Sequence, residues 1–259
     1  MDLLFIGDVV SSAGRRGLSA TLPSLKDRFG ADLTVVNGEN SAGGVGITEG
    51  TADDLFEAGA DLITLGNHAY RRREAWDWLD RDERVLRPAN FRKSNPGRGF
   101  TMVEAGGMSV GVVNLIGRIG LDAAISPFDE ADRLLDGPLD GADAVRADFH
   151  AEVTSEKGAL GGYRDGRVSA VLGTHTHVPT ADGRVLPGGT AFISDVGMTG
   201  SRNGVLGVNR DTVIERMRTG LPHRFDDAEG DVWVMGAAVR LNGDGRAEAI
   251  EPFQVPAEA

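Results

Sequence analysis

The sequence predicts an α/β protein built from two mixed β-sheets flanked by helices, and three observations carry that expectation. Through roughly the first eighty residues, short apolar runs alternate with segments of helical period, as in strands buried on both faces and joined by crossover helices. Around Gly106-Gly107 two β-rich runs face each other across a tight turn, so antiparallel pairing enters mid-chain. A second such pair brackets Asn242-Gly243-Asp244-Gly245 near the C-terminus. With 259 residues and no linker-like stretch or repeat, one domain over residues 1–259 is the economical organisation.

In order, Leu3 to Ile6 reads as a buried strand closed by Gly7-Asp8. Ser11 to Gly14 reads as a loop; Leu18, Leu22, Leu25 and Phe29 then recur at helical spacing up to Gly30. Leu33 to Val36 is a second strand ending in Asn37-Gly38-Glu39-Asn40. A glycine-rich loop over 41–46 leads to a helix from about Thr51 to Gly59. Leu62 to Leu65 is a third strand, running into Gly66-Asn67-His68. The helix after it carries Trp76, expected in the core, and Trp78, expected half-exposed. Phe100 to Glu104 and Ser109 to Ile116 form the hairpin. Ser126-Pro127 with Asp129-Glu130 marks a helix start. Ala144 to Phe149 is a strand ending in His150, and Thr154 to Leu160 is helical. Val168 to Leu172 is a strand followed at once by Gly-Thr-His-Thr-His, and Thr190 to Ile193 is a strand running into Ser194-Asp195. Asn209 caps a helix to about Arg218. Asp231 to Leu241 and Ala247 to Ile250 close the chain as a hairpin, with Pro252 ending its second strand.

Composition bounds the function. Net charge is −12, from 27 basic and 39 acidic residues, with no basic stripe, which argues against binding polymeric nucleic acid. A small anionic substrate stays open if metal ions supply local positive charge. The absence of cysteine excludes disulfides and thiolate chemistry and fits a cytoplasmic protein. The N-terminal apolar run is too short for a signal peptide or a membrane span.

The chemistry gathers where strands end. Asp8, Glu39-Asn40, Asn67-His68, His150, and the pair His175 and His177 each follow an expected strand, and open α/β sheets bind ligands at those ends. In extended backbone His175 and His177 would face one side. Singly, Asp8 could cap a turn, Asn67 could fill a left-handed turn, and His150 could be a core histidine. Jointly, those readings leave five coincident strand ends unexplained. Oxygen and imidazole donors without sulfur suit Mn, Fe or Zn, and the set is too large for one ion. It suits two ions roughly 3.5–4 Å apart, which clamp phosphoryl oxygens and acidify a bridging water.

Gly7-Asp8, Asn37-Gly38-Glu39-Asn40, Gly66-Asn67-His68 and Gly173-Thr-His-Thr-His177 resemble the ordered blocks of the calcineurin-like metallophosphoesterases. Asp148 to Lys157 and Ser194 to Gly200 bring the likeness closer to the YmdB-like bacterial cyclic-nucleotide phosphodiesterases. Two departures stand out: Val10 occupies the position of an expected histidine, and Glu39 replaces the usual bridging Asp. The resemblance implies a four-layer α/β/β/α sandwich. It implies that Asp8, Glu39, Asn40 and His177 hold one metal, and that Glu39 as bridge, Asn67, His150 and His175 hold the second, with Fe or Mn favoured over Zn. His68 would stay unmetallated and donate a proton to the leaving alkoxide, with a metal-bridged hydroxide as nucleophile. Asp195 to Gly200 would line the substrate pocket. The implied activity is hydrolysis of small cyclic nucleotides, 2′,3′-cyclic foremost and 3′,5′-cyclic also, with weak phosphomonoesterase activity; a homo-oligomer is compatible with it.

Two other classes remain. An amidohydrolase also uses a His-x-His pair, but on the first strand of a barrel, and the hairpins here interrupt the eight βα units a barrel needs. A metal-bound signalling protein with incidental hydrolysis stays open.

Overall fold

The structure, a computed structural model, describes residues 1–121 and 123–258. The chain opens with β1 (Asp2–Ile6) and the short β2 (Asp8–Val9), and α1 (Ser11–Phe29) follows directly. The stretch read as a loop over Ser11 to Gly14 is thus the first turn of α1. Gly14 allows that turn to lie against the backbone at Thr199, where a Cβ would collide with the carbonyl oxygen. After β3 (Leu33–Asn37), Thr48 caps α2 (Glu49–Glu57) through a reciprocal bond with Thr51. Then come β4 (Leu62–Thr64), the four-residue α3 (Trp76–Leu79) and β5 (Val85–Leu86). The tryptophan assignment reverses: Trp78 is buried, while Trp76 is half-buried with its indole N–H donating to Tyr70 O at 3.1 Å.

The hairpin is β6 (Phe100–Ala105) with β7 (Met108–Ile116), followed by α4 (Pro127–Leu135), β8 (Ala144–His150), α5 (Thr154–Arg164) and β9 (Ala170–Thr174). Ser126 caps α4, as its Ser-Pro start requires. The remainder is β10 (Arg184–Val185), β11 (Ala191–Ile193), β12 (Met198–Ser201), α6 (Arg210–Thr219), β13 (Val232–Leu241) and β14 (Ala247–Pro256). Contrary to expectation, Pro252 does not end the last strand; it sits inside β14 opposite Ala237. Among the described residues β14 pairs only with β13, and an edge strand tolerates a residue without an N–H.

The strands make two mixed sheets. The first has eight, in the order β2-β12-β13-β1-β3-β4-β5 with β14 on the outer side of β13. The second has six, in the order β10-β11-β9-β8-β7-β6. Strands β1, β3, β4 and β5 run parallel, as do β7, β8, β9 and β11. Leu3, Phe5, Leu33 and Val35 of the first sheet pack against Val110, Val112, Ala170, Leu172 and Ile193 of the second. Leu18, Leu22 and Leu55 cover the outer face of the first sheet, and Leu134, Leu135 and Leu160 cover that of the second. The result is the expected α/β/β/α sandwich. No helix among the described residues is long and apolar enough to cross a membrane.

Candidate metal centre

Every candidate site residue follows a parallel strand: Asp8 after β1, Glu39 and Asn40 after β3, Asn67 and His68 after β4, His150 at the end of β8, and His175 and His177 after β9. The first five come from one sheet and the last three from the other, so the group assembles only where the two sheets meet. All eight come together.

Four donors crowd one point. His150 Nε2 lies 2.9 Å from Asn67 Oδ1, 3.0 Å from His175 Nδ1 and 3.3 Å from Glu39 Oε1. Ligating atoms of Glu39, His150 and His175 all lie within 4.8 Å of one another. Beside this cluster, His177 Nε2 is 3.1 Å from Asn40 Nδ2 and 3.9 Å from Asp8 Oδ1. His68 Nδ1 lies 2.7 Å from Asn40 Oδ1 and 3.3 Å from Glu39 Oε1, which leaves its Nε2 as the ring atom free to meet a ligand.

The electrostatics show a site short of positive charge. Asp8 Oδ1 is buried and finds no hydrogen-bond partner among the described residues. Burial pushes the Asp8 carboxyl up to about 6, against the pull of His177 and His150. Burial would also raise Glu39, but the charge and hydrogen bonds of His150 and His68 hold it well below the usual carboxylate range. Burial would depress His150, yet Glu39 and Asp8 lift it to about 9. Burial, helped by neighbouring His150, drives His175 down to about 3. An orphaned buried carboxylate oxygen beside converging imidazoles and amide oxygens is the donor pattern of a cation site built from oxygen and nitrogen ligands. The residues therefore fit a metal ion held by oxygen and nitrogen donors.

Strand alternation is not what pairs His175 with His177. β9 ends at Thr174, and His175 and His177 adopt left-handed φ values of 102° and 64°. A turn brings both imidazoles to the site instead. The turn is braced from below. Lys157 Nζ of α5 donates to Thr174 O and to Asp195 Oδ2, each at 2.8 Å, and Asp195 Oδ2 also accepts from Thr176 N at 3.0 Å. Asp195 is 1% exposed, so this carboxylate does not line an open pocket but holds the turn.

Sequence reasoning assigned no role to Lys157, Thr174 or Asp148. The last had a signal, since it stands two residues before His150 on the same strand face. Glu152 was also passed over; its Oε2 lies 2.9 Å from His175 Nε2. The glycine-rich loop 41–46 is held by Arg72, whose Nε donates to Val45 O at 3.0 Å and whose Nη2 donates to Ala42 O at 2.5 Å.

Residues 4–253 match the family described as YmdB-like protein. The chain is 48% identical over 242 residues to the 2′,3′-cyclic-nucleotide 2′-phosphodiesterase of Bacillus subtilis (strain 168), covering 93% of this chain and 92% of that protein. The crystal structure of a hypothetical protein from Thermus thermophilus matches with TM-score 0.94 at 44% identity, over 100% of both chains. That of a phosphatase from Mycoplasma pneumoniae matches with TM-score 0.92 at 31% identity, over 99% of this chain and 93% of the other. The chain belongs to the YmdB-like protein family.

Proposed function

We propose that this protein is a two-metal phosphodiesterase of small cyclic nucleotides, with 2′,3′-cyclic forms preferred, 3′,5′-cyclic forms also taken and phosphomonoesters hydrolysed weakly. The observation that carries this reading is the convergence of Glu39, Asn67 and His175 on His150 Nε2, beside the unpartnered Asp8 Oδ1. The activity of the Bacillus subtilis relative supports the substrate class.

In this reading Asp8, Glu39, Asn40 and His177 hold one metal, and Glu39, Asn67, His150 and His175 hold the other, with Fe or Mn favoured and Zn third. Bound there, the cations offset phosphoryl charge and acidify water. The protein's own groups do the rest. His68 N donates to Glu39 Oε2 at 3.0 Å, so the backbone that carries the His68 ring also fixes the carboxylate shared by both sites. With Nδ1 engaged by Asn40 and Glu39, His68 presents Nε2 to protonate the departing ribose oxygen, a step worth about 10²–10⁴ in rate.

The test is hydrolysis by Mn²⁺-loaded protein of 2′,3′-cyclic and 3′,5′-cyclic nucleotides and of nucleoside monophosphates, assayed with and without chelator. Metal-dependent turnover greatest on the 2′,3′-cyclic substrates is expected. Metal-loaded protein inert towards all of them overturns the reading.

A further inference from the structure

We infer that Asp148 and Thr174 form a buried relay that fixes which nitrogen of His150 faces the metal, making both of them positioning residues for the second metal site; this rests on the two-metal reading above. Asp148 is fully buried on the inner face of β8, two residues before His150, and its carboxylate spans both sheets. Its Oδ2 accepts from Asn37 Nδ2 of β3 at 3.0 Å and from Thr64 Oγ1 of β4 at 2.5 Å. Its Oδ1 accepts from Thr174 Oγ1 of β9 at 2.7 Å, and that same Oγ1 lies 2.9 Å from His150 Nδ1.

The proton count along this chain allows one arrangement. Among the described residues every polar contact of Asp148 is with a donor, Asn37 Nδ2 and Thr64 Oγ1 at Oδ2 and Thr174 Oγ1 at Oδ1, so the single hydroxyl proton of Thr174 is committed to Asp148. What Thr174 can offer His150 is then a lone pair, and Nδ1 must carry the hydrogen. Nε2 is left as the ligating atom, and it is the atom facing Glu39, Asn67 and His175. Arg146, two residues earlier on the same face, places a buried guanidinium in this column; it lies 3.7 Å from the Phe5 ring centroid and supplies a compensating positive charge. Asn37 also accepts from Glu39 N at 3.1 Å through its Oδ1, so the same carboxylate steadies the segment that carries the bridging ligand.

The amide variant should invert the relay. In Asp148→Asn the two donors Asn37 and Thr64 select the amide oxygen, which turns the NH₂ towards Thr174. Thr174 then accepts from that NH₂ and points its own proton at His150 Nδ1. The imidazole hydrogen is driven to Nε2, where it blocks ligation.

The experiment is calorimetric titration of metal-free protein with Mn²⁺, with circular dichroism to establish folding. Wild type should bind two ions. Asp148→Asn and Thr174→Val should each weaken one of the two sites by about 10–100-fold and leave the other unchanged, the usual effect of losing a partner of a ligating histidine. Thr174→Ser, which keeps the hydroxyl, should restore wild-type binding, an outcome that a merely space-filling role for Thr174 would not produce. If Asp148→Asn does not fold, the near-isosteric Thr174→Val carries the test. Folded Asp148→Asn or Thr174→Val protein that binds both ions as wild type does overturns the relay alone. Wild type that binds no Mn²⁺ overturns the two-metal reading, and the relay with it.

Discussion

Replacing Lys157 with Met should both destabilise the fold and release metal. Lys157 and Asp195 are each 1% exposed, so their ion pair cannot be screened by water, and removing one partner of such a pair costs about 3–5 kcal/mol. Asp195 keeps two backbone donors after the change, Thr176 N at 3.0 Å and Gly197 N at 2.9 Å, which places the cost near the lower bound, about 3 kcal/mol. For a protein of this size that corresponds to a melting temperature lower by roughly 6–12 °C. The left-handed φ values of His175 and His177 cost on the order of 1–3 kcal/mol each, together comparable with the lost pair. The turn should therefore relax, and Mn²⁺ affinity should fall with stability. Differential scanning calorimetry of metal-free protein and titration with Mn²⁺ measure the two effects. A Lys157→Met protein that melts and binds metal as wild type does would refute the claim that this pair holds the histidine turn.

Three further outcomes can be checked directly. His68→Ala should lower kcat on 2′,3′-cyclic nucleotides by about 10²–10⁴ while elemental analysis finds the metal content unchanged. Gly66→Ala should reduce bound metal in a folded protein, because a Cβ there collides with Glu39 Oε2 and His150 Nε2; retention of full metal content would contradict the packing. Chelator-treated protein should lose thermal stability between pH 6.5 and 9. His150 is raised in the fold from 6.5 to about 9, so its stabilisation is complete below 6.5 and fades as pH climbs through 9. Mn²⁺-loaded protein should resist that decline, since the proton competes with the ion for the imidazole. Parallel melts of the two forms across this range decide the matter.

The pattern of strand ends was legible in the sequence because each donor follows a short apolar run, and buried strands force such runs to be continuous. The two glycine turns were legible for the same local reason: only a few residues can reverse a hairpin. What the sequence hid were contacts fixed by tertiary approach. The first turn of α1 looked like a loop because Ser11, Ser12 and Gly14 are poor helix formers. They open α1 because Ser11, itself at a left-handed φ of 58°, bonds through its N to Asn40 O at 2.9 Å, and Gly14 lets the helix press on the Thr199 backbone. Trp76 and Trp78 were misassigned because α3 is a single turn, too short for periodicity to identify its inner face. The histidine pair reaches the cluster by a route the sequence does not show: strand alternation stops at Thr174, and a strained turn does the rest.

The strain and the charge imbalance have one physical origin. Asp8 and Glu39 are buried carboxylates at the carboxyl ends of central strands of one sheet, His150 and His175 face them from the other, and all four sit far from their ordinary protonation equilibria, Asp8 and His150 upwards and Glu39 and His175 downwards. A hydrophobic core alone would not hold such groups together, since each would be more stable in water. They are held because polar contacts tie the sheets together immediately beneath them. Asn37 and Thr64 reach Asp148 from the first sheet, and Asn114 of β7 donates across to Leu65 O at 2.6 Å and Leu86 O at 2.8 Å. The inter-sheet seam thus carries two polar layers, a hydrogen-bonded one that docks the sheets and, above it, a layer of donors suited to cations. Because the lower layer is made of hydrogen bonds rather than apolar packing, it transmits direction as well as proximity, and the orientation of the upper donors follows from it.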